Sequence, residues 1–161
     1  GESFVFPLET FDTNLMGTVN LLETLKKTSC VKAVIIVTSD KCYHNDNGSH
    51  AFSEDDKLGG DDPYSVSKAC AEIATNSYIK SFFLCNNTES PSIGVATARA
   101  GNVLGGGDWA KDRLIPDIIR AFHANTLATI RFPDATRPWQ FVLEPLGAYL
   151  FIGSILLKKK K

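Results

Sequence analysis

The sequence predicts an α/β fold, part of a doubly wound parallel sheet, and three observations carry that prediction. Segments of helical and of strand-like hydrophobic period alternate, two strand-like segments are almost wholly apolar, and each runs directly into a polar cluster. Near-continuous apolar, β-branched runs belong to strands covered on both faces, as parallel strands are. With 161 residues, 43% hydrophobic and 22% charged, the chain has enough apolar surface for one globular core.

The first element is a helix. Asp12 or Thr13 supplies a capping oxygen, Leu15, Met16, Val19, Leu22 and Leu25 recur at helical spacing, and Lys26 and Lys27 suit its carboxyl end. A strand over Val31 to Val37 follows and ends in Thr38-Ser39-Asp40-Lys41. Ligands of open α/β sheets gather beyond the carboxyl ends of the strands, so this polar run stands where a site is expected.

A loop rich in Asn, Asp, Ser and Gly, from His44 to Asp62, leads to Pro63, which opens a helix running to about Phe82. A second buried strand, about Ile93 to Ala98, feeds Arg99-Ala100-Gly101-Asn102 and the cluster Gly105-Gly106-Gly107, where the chain turns tightly. The remainder reads as a helix over Asp117 to Asn125, a short strand over Ala128 to Phe132, and a loop holding Arg137-Pro138-Trp139. Trp139 is assigned to the core. The apolar run Leu143 to Leu157, followed by Lys158 to Lys161, is expected to form a buried helix; it carries Glu144 and Pro145 and is too short to span a bilayer comfortably.

Composition excludes several classes of function. With 17 basic and 18 acidic residues the net charge is -1, so no global field recruits nucleic acid or an anionic membrane. Cys30, Cys42, Cys70 and Cys85 lie too far apart for a redox pair or a clustered zinc site, so no metal centre is expected. Nothing in the chain reads as a secretory signal, and a reducing cytoplasm is the expected compartment.

Chemistry concentrates in two places. Tyr64 and Lys68, four apart, share one helix face, where the ammonium can lower the phenol pKa and make its phenolate a base. Such a pair suits removal of a proton from a sugar hydroxyl while hydride leaves the same carbon. Tyr-x-x-x-Lys alone is a weak signal, since a solvated helix face gives the same spacing; its place after a strand that ends in Ser39-Asp40-Lys41 favours function. Asp40 and Lys41 are a neighbouring acid and base at that strand end.

Several long motifs now stand in order: Val37-Thr-Ser-Asp-Lys-Cys-Tyr43, Asp62-Pro-Tyr-Ser-Val-Ser-Lys68, the run Arg99 to Pro116, and Arg137-Pro-Trp-Gln-Phe-Val-Leu-Glu-Pro-Leu146. Together they resemble the CDP-glucose 4,6-dehydratases, extended short-chain dehydrogenases/reductases with a Rossmann-like fold, over roughly Leu8 to Tyr149. The resemblance implies a bound NAD that takes hydride from C4 of the glucose of CDP-glucose and returns it at C6. By the same resemblance, Tyr64 is the base at the C4 hydroxyl, Lys68 orients the nicotinamide ribose, and Ser39 hydrogen-bonds the reacting hydroxyl. Asp40 would protonate the departing C6 hydroxyl and Lys41 would remove the C5 proton, the latter requiring burial or neighbouring cations. Thr38, Tyr64 and Lys68 would face the cofactor.

For the nucleotide sugar, Asn102, Arg113 and Arg137 are the polar groups aimed at the diphosphate and nucleotide, with Leu114, Ile115 and Pro116 lining the base pocket; arginine gives diphosphate bidentate bonds. Arg113 reads nearly as well as a surface charge at a helix start, and Phe141 stands where a polar residue was expected. The resemblance further implies a homodimer through the helices beginning near Asp12 and Tyr64. Residues 1–104 would be the later part of the NAD-binding domain and 105–161 the start of the nucleotide-sugar-binding portion. The Gly-x-x-Gly-x-x-Gly strand-turn-helix of that family is absent from the sequence, so the chain is expected to be an incomplete one. Two alternatives remain: an inactive truncated product that binds a nucleotide sugar or pairs with a full-length subunit, and another nucleotide-sugar dehydratase or epimerase.

Overall fold

The computed structural model describes residues 1–46, 48, 50–84 and 93–158. Cys85 and Lys159 to Lys161, singled out above, lie outside the described residues. The elements run α1 (Glu2–Val5), α2 (Pro7–Phe11), α3 (Gly17–Leu25), β1 (Ala33–Val37), α4 (Pro63–Tyr78), β2 (Gly94–Ala98), β3 (Asn102–Leu104), α5 (Leu114–His123), β4 (Trp139–Phe141) and α6 (Leu143–Lys158).

Pro7, with its backbone angle already helical, starts α2 well before the expected cap. Asp12 and Thr13 therefore cap nothing: they lie inside a π-helical turn, Asp12–Met16, that joins α2 to α3. A second π turn, Ile79–Phe83, extends α4. The capping signal that does operate is Asp62, whose carboxylate accepts from the amides of Tyr64 and Ser65 at 2.9 and 3.1 Å and so satisfies the amino end of α4.

β1 and β2 pair in parallel, from Ala33 opposite Gly94 to Val37 opposite Ala98. The parallel pairing requires a crossover, and α4 lies in it. On one face of this ribbon, Leu22 and Leu25 of α3 meet Phe83 and Ile93, with Val34, Val95, Tyr78 and Phe82 around them. Burying a leucine such as Leu22 completely contributes about 1.5–3 kcal/mol. On the other face lies α6, close enough that a methyl group built on Gly153 would lie 3.6 Å from Ile35 Cδ1. Helices thus cover both sides of a parallel sheet, the layering of an α/β fold.

Several expectations are corrected. The two apolar strands are less buried than predicted: only Ile36 of β1 and Ala98 of β2 are buried, because a two-stranded ribbon leaves each strand an edge. No strand forms over Ala128 to Phe132; β4 takes the place beside β3 instead, in parallel from Asn102 opposite Trp139 to Leu104 opposite Phe141. Trp139 is therefore a strand residue, 39% exposed, and not core. The fifth helix begins at Leu114, three residues before the expected Asp117. α6 is not a buried helix, since only Pro145 is fully covered while Leu150 and Phe151 face outward. Among the described residues no helix is long and apolar enough to cross a membrane.

Candidate active site

Beyond Val37 the chain leaves β1 and makes a 3-10 turn, Asp40–Cys42. Its backbone is held against the continuation of β2: the Thr38 amide donates to the Ala98 carbonyl at 2.9 Å and the Asp40 amide to the Ala100 carbonyl at 3.0 Å. The Ser39 hydroxyl donates to Asp40 Oδ1 at 3.1 Å and accepts from the Lys41 amide at 3.3 Å. Serine and acid are thereby fixed relative to each other within one turn.

α4 approaches this turn with its amino end. The ammonium groups of Lys41 and Lys68 stand 5.8 and 5.9 Å from the centre of the Tyr64 ring, so one phenol is bracketed by two cations from separate elements. Lys68 is half-buried, and burial lowers its pKa from the ordinary amine value. Lys41 is exposed, so of the two conditions set for it, burial or neighbouring cations, burial is not met.

An open cleft of about 800 Å³ joins these groups to the rest of the predicted site. Ser39, Asp40, Lys41 and Tyr64 line it together with Asn102, Arg113, Leu114, Ile115, Pro116 and Arg137. Thr38 and Lys68 stand outside the lining. Arg113 pairs with Asp108 at 3.1 Å, in keeping with its alternative reading as a charge at a helix start, although it does border the cleft. Pro116 is buried, whereas Leu114 and Ile115 remain partly open. Trp109 and Trp139, neither assigned to the site beforehand, are exposed aromatic surfaces in the cleft.

Sequence reading missed the buried polar cluster behind this cleft. Glu72, 4% exposed, accepts hydrogen bonds from Thr38 Oγ1 and, at 3.0 Å, from Arg99. Burial works to raise the Glu72 carboxyl, but hydrogen bonds from Arg99, Thr38 and Thr97 outweigh it and hold the pKa below the ordinary value. The signal available was its spacing, four residues beyond Lys68 on the same helix face. Asn14 was also missed: from the first π turn its amide donates to Ser67 Oγ at 3.0 Å, beside Lys68.

The sequence pattern described as GDP-mannose 4,6 dehydratase matches residues 1–149, nearly the whole chain. The chain belongs to this family. Within the GDP-mannose 4,6-dehydratase family, a CDP-glucose 4,6-dehydratase of Salmonella typhimurium is 52% identical over 154 residues, covering 96% of this chain and 43% of that protein. A dTDP-D-glucose 4,6-dehydratase of Dictyostelium discoideum is 29% identical over 98% of this chain and 35% of its own length. Among solved structures, a dTDP-glucose 4,6-dehydratase from Bacillus anthracis in complex with NAD superimposes with a TM-score of 0.76 at 26% identity, covering 89% of this chain and 43% of that one. A dTDP-glucose 4,6-dehydratase from Streptomyces venezuelae, 21% identical with a TM-score of 0.79, shares the fold. The chain spans less than half the length of the relatives it matches.

Proposed function

We propose that the protein carrying this chain is an NAD-dependent nucleotide-sugar 4,6-dehydratase, with CDP-glucose as substrate and CDP-4-keto-6-deoxyglucose as product. The observation that carries the reading is the convergence of Ser39, Asp40, Lys41 and Tyr64 on one cleft, with Lys68 behind the phenol. The 52% identity to the Salmonella CDP-glucose enzyme supports the choice of nucleotide.

The donor chemistry at the amino end of α4 fits the nicotinamide end of the cofactor: a phenol for the proton and a half-buried ammonium for the ribose hydroxyls, Tyr64 and Lys68. Bound there, NAD would supply the hydride acceptor for C4 and the hydride donor for C6. Tyr64 takes the C4 hydroxyl proton as that hydride leaves, and Ser39 holds the same oxygen by a hydrogen bond. The resulting ketone acidifies C5. Lys41 removes the C5 proton while Asp40 gives a proton to the departing C6 hydroxyl, so water leaves across C5 and C6, and Lys41 returns the proton to C5 as hydride reaches C6. Asn102, Arg113 and Arg137 hold the diphosphate and nucleotide, and Leu114, Ile115 and Pro116 receive the base. We assign residues 1–104 to the cofactor side and 105–161 to the sugar-nucleotide side.

A homodimer accords with this reading. Met16 and Leu21, on the helical stretch from Asp12, and Ile73 on α4 are exposed apolar side chains on the helices named for the interface.

Incubation of the purified chain with NAD and CDP-glucose tests the proposal, with the 4-keto-6-deoxy product as readout. Product that disappears in Tyr64→Phe is expected. A folded chain that binds the nucleotide sugar without turnover would favour the alternative of an inactive binding product.

A further inference from the structure

We infer that the Thr38 hydroxyl is a positioning group that, by binding the buried Glu72 carboxylate, fixes the Ser39–Lys41 turn against the helix carrying Tyr64 and Lys68. Its kinetic consequence rests on the dehydratase reading; its structural consequence does not.

Glu72 lies four residues beyond Lys68 and eight beyond Tyr64, so the three share one face of α4. A buried carboxylate is costly unless its oxygens are paired, and here the partners among the described residues come from the carboxyl ends of the two strands. Thr38 follows β1, Thr97 is in β2, and Arg99 follows β2. One side chain therefore ties the helix that bears the proposed base to both strands that deliver the remaining groups. Arg99 extends the tie outward, its guanidinium 4.8 Å from the Tyr43 ring, which stacks on Phe52 at 4.7 Å.

Thr38 holds the decisive place in this network because it immediately precedes Ser39. Its amide and the Asp40 amide fix the turn to the β2 side, whereas its hydroxyl fixes the turn to α4. Thr38 is buried and does not line the cleft, so its hydroxyl is directed to Glu72, with the Ala98 carbonyl a more distant second acceptor at 3.4 Å, and is not presented to a ligand. Valine in its place keeps the branched shape and removes the donor; serine keeps the donor.

The test compares the unmodified chain with Thr38→Val and Thr38→Ser, with Thr38→Ala standing in if valine prevents folding. Amide hydrogen exchange is read first. Thr38→Val is expected to speed exchange of the Asp40 and Cys42 amides about tenfold, leaving the β1–β2 amides unchanged, and Thr38→Ser to restore protection. In turnover of CDP-glucose, Thr38→Val is expected to lower kcat about tenfold with KM and the NAD dissociation constant within about twofold of the original, again restored by serine. Unchanged exchange at Asp40, exchange raised throughout the sheet, or weakened NAD binding with kcat preserved would overturn the inference; the last would make Thr38 a cofactor contact. If the unmodified chain gives no product, the inactive-product alternative is favoured for the chain by itself, and the exchange pattern alone decides the positioning role.

Discussion

Gly101 backs directly onto Pro138: a methyl group at Gly101 would sit 2.6 Å from the proline Cγ and 2.7 Å from its carbonyl oxygen. The missing side chain lets the segment after β2 lie against the segment before β4, and the β3–β4 pairing begins one residue further on each side. Gly101→Ala should therefore destabilise the protein by about 1–3 kcal/mol, through overpacking against a rigid ring and backbone. Urea unfolding of the two forms measures this, and equal midpoints would show that the contact relaxes without cost.

Asp62 is the second place where one side chain secures a part of the site. Removing its carboxylate leaves two amides at the start of α4 without their acceptor. Asp62→Ala is expected to cost about 1–2 kcal/mol, and Asp62→Asn or Asp62→Ser much less, since either still caps. Thermal melting followed by circular dichroism distinguishes the three.

Glu72 gives a pH dependence with a definite sign. Its folded pKa is lowered, so its stabilisation is complete above the unfolded carboxylate value and is lost as pH falls toward and through the folded one. The gap in unfolding free energy between the unmodified protein and Glu72→Gln should thus be widest near neutrality and close progressively below about pH 5. A gap independent of pH would mean that the carboxylate is not ionised in the folded protein.

Cysteine reactivity offers a fourth check. Burial pushes the Cys42 thiol up to about 11, so near neutral pH it is a protonated and inaccessible thiol. Cys30 is exposed. Brief iodoacetamide treatment followed by mass spectrometry is expected to mark Cys30 and spare Cys42 until denaturant is added. Rapid native labelling of Cys42 would contradict the packing around the 3-10 turn.

Much of the site was legible because its residues sit at strand ends and at one-turn spacing, features that a linear sequence displays. Ser39 to Lys41 and Tyr64 were found by those signals and do meet in one cleft. The part that was not legible depends on partners distant in sequence. Nothing local distinguishes Ala128 to Phe132, with its β-branched centre, from Trp139 to Phe141; which one becomes a strand is decided by what can lie beside Asn102 to Leu104. Glu72 likewise looks like any helix-surface carboxylate until Thr38 and Arg99 are brought against it. The start of the first long helix was misplaced because an Asp-Thr pair that suits a cap outweighed a proline five residues earlier.

The two parallel ladders have a bearing on the order in which the molecule assembles. Ala33 waits for Gly94, and Asn102 for Trp139, so neither ladder can form while only its first strand has been synthesised. Closing such long stretches of chain is entropically unfavourable before any contact is made, which places both pairings late in folding. On a ribosome the helical layer of α3 and α4 is available long before Arg137 and β4 emerge. The cleft is in this sense a late product: Tyr64 can be in place early, yet Arg113 and Arg137 join it only after long stretches of chain have followed.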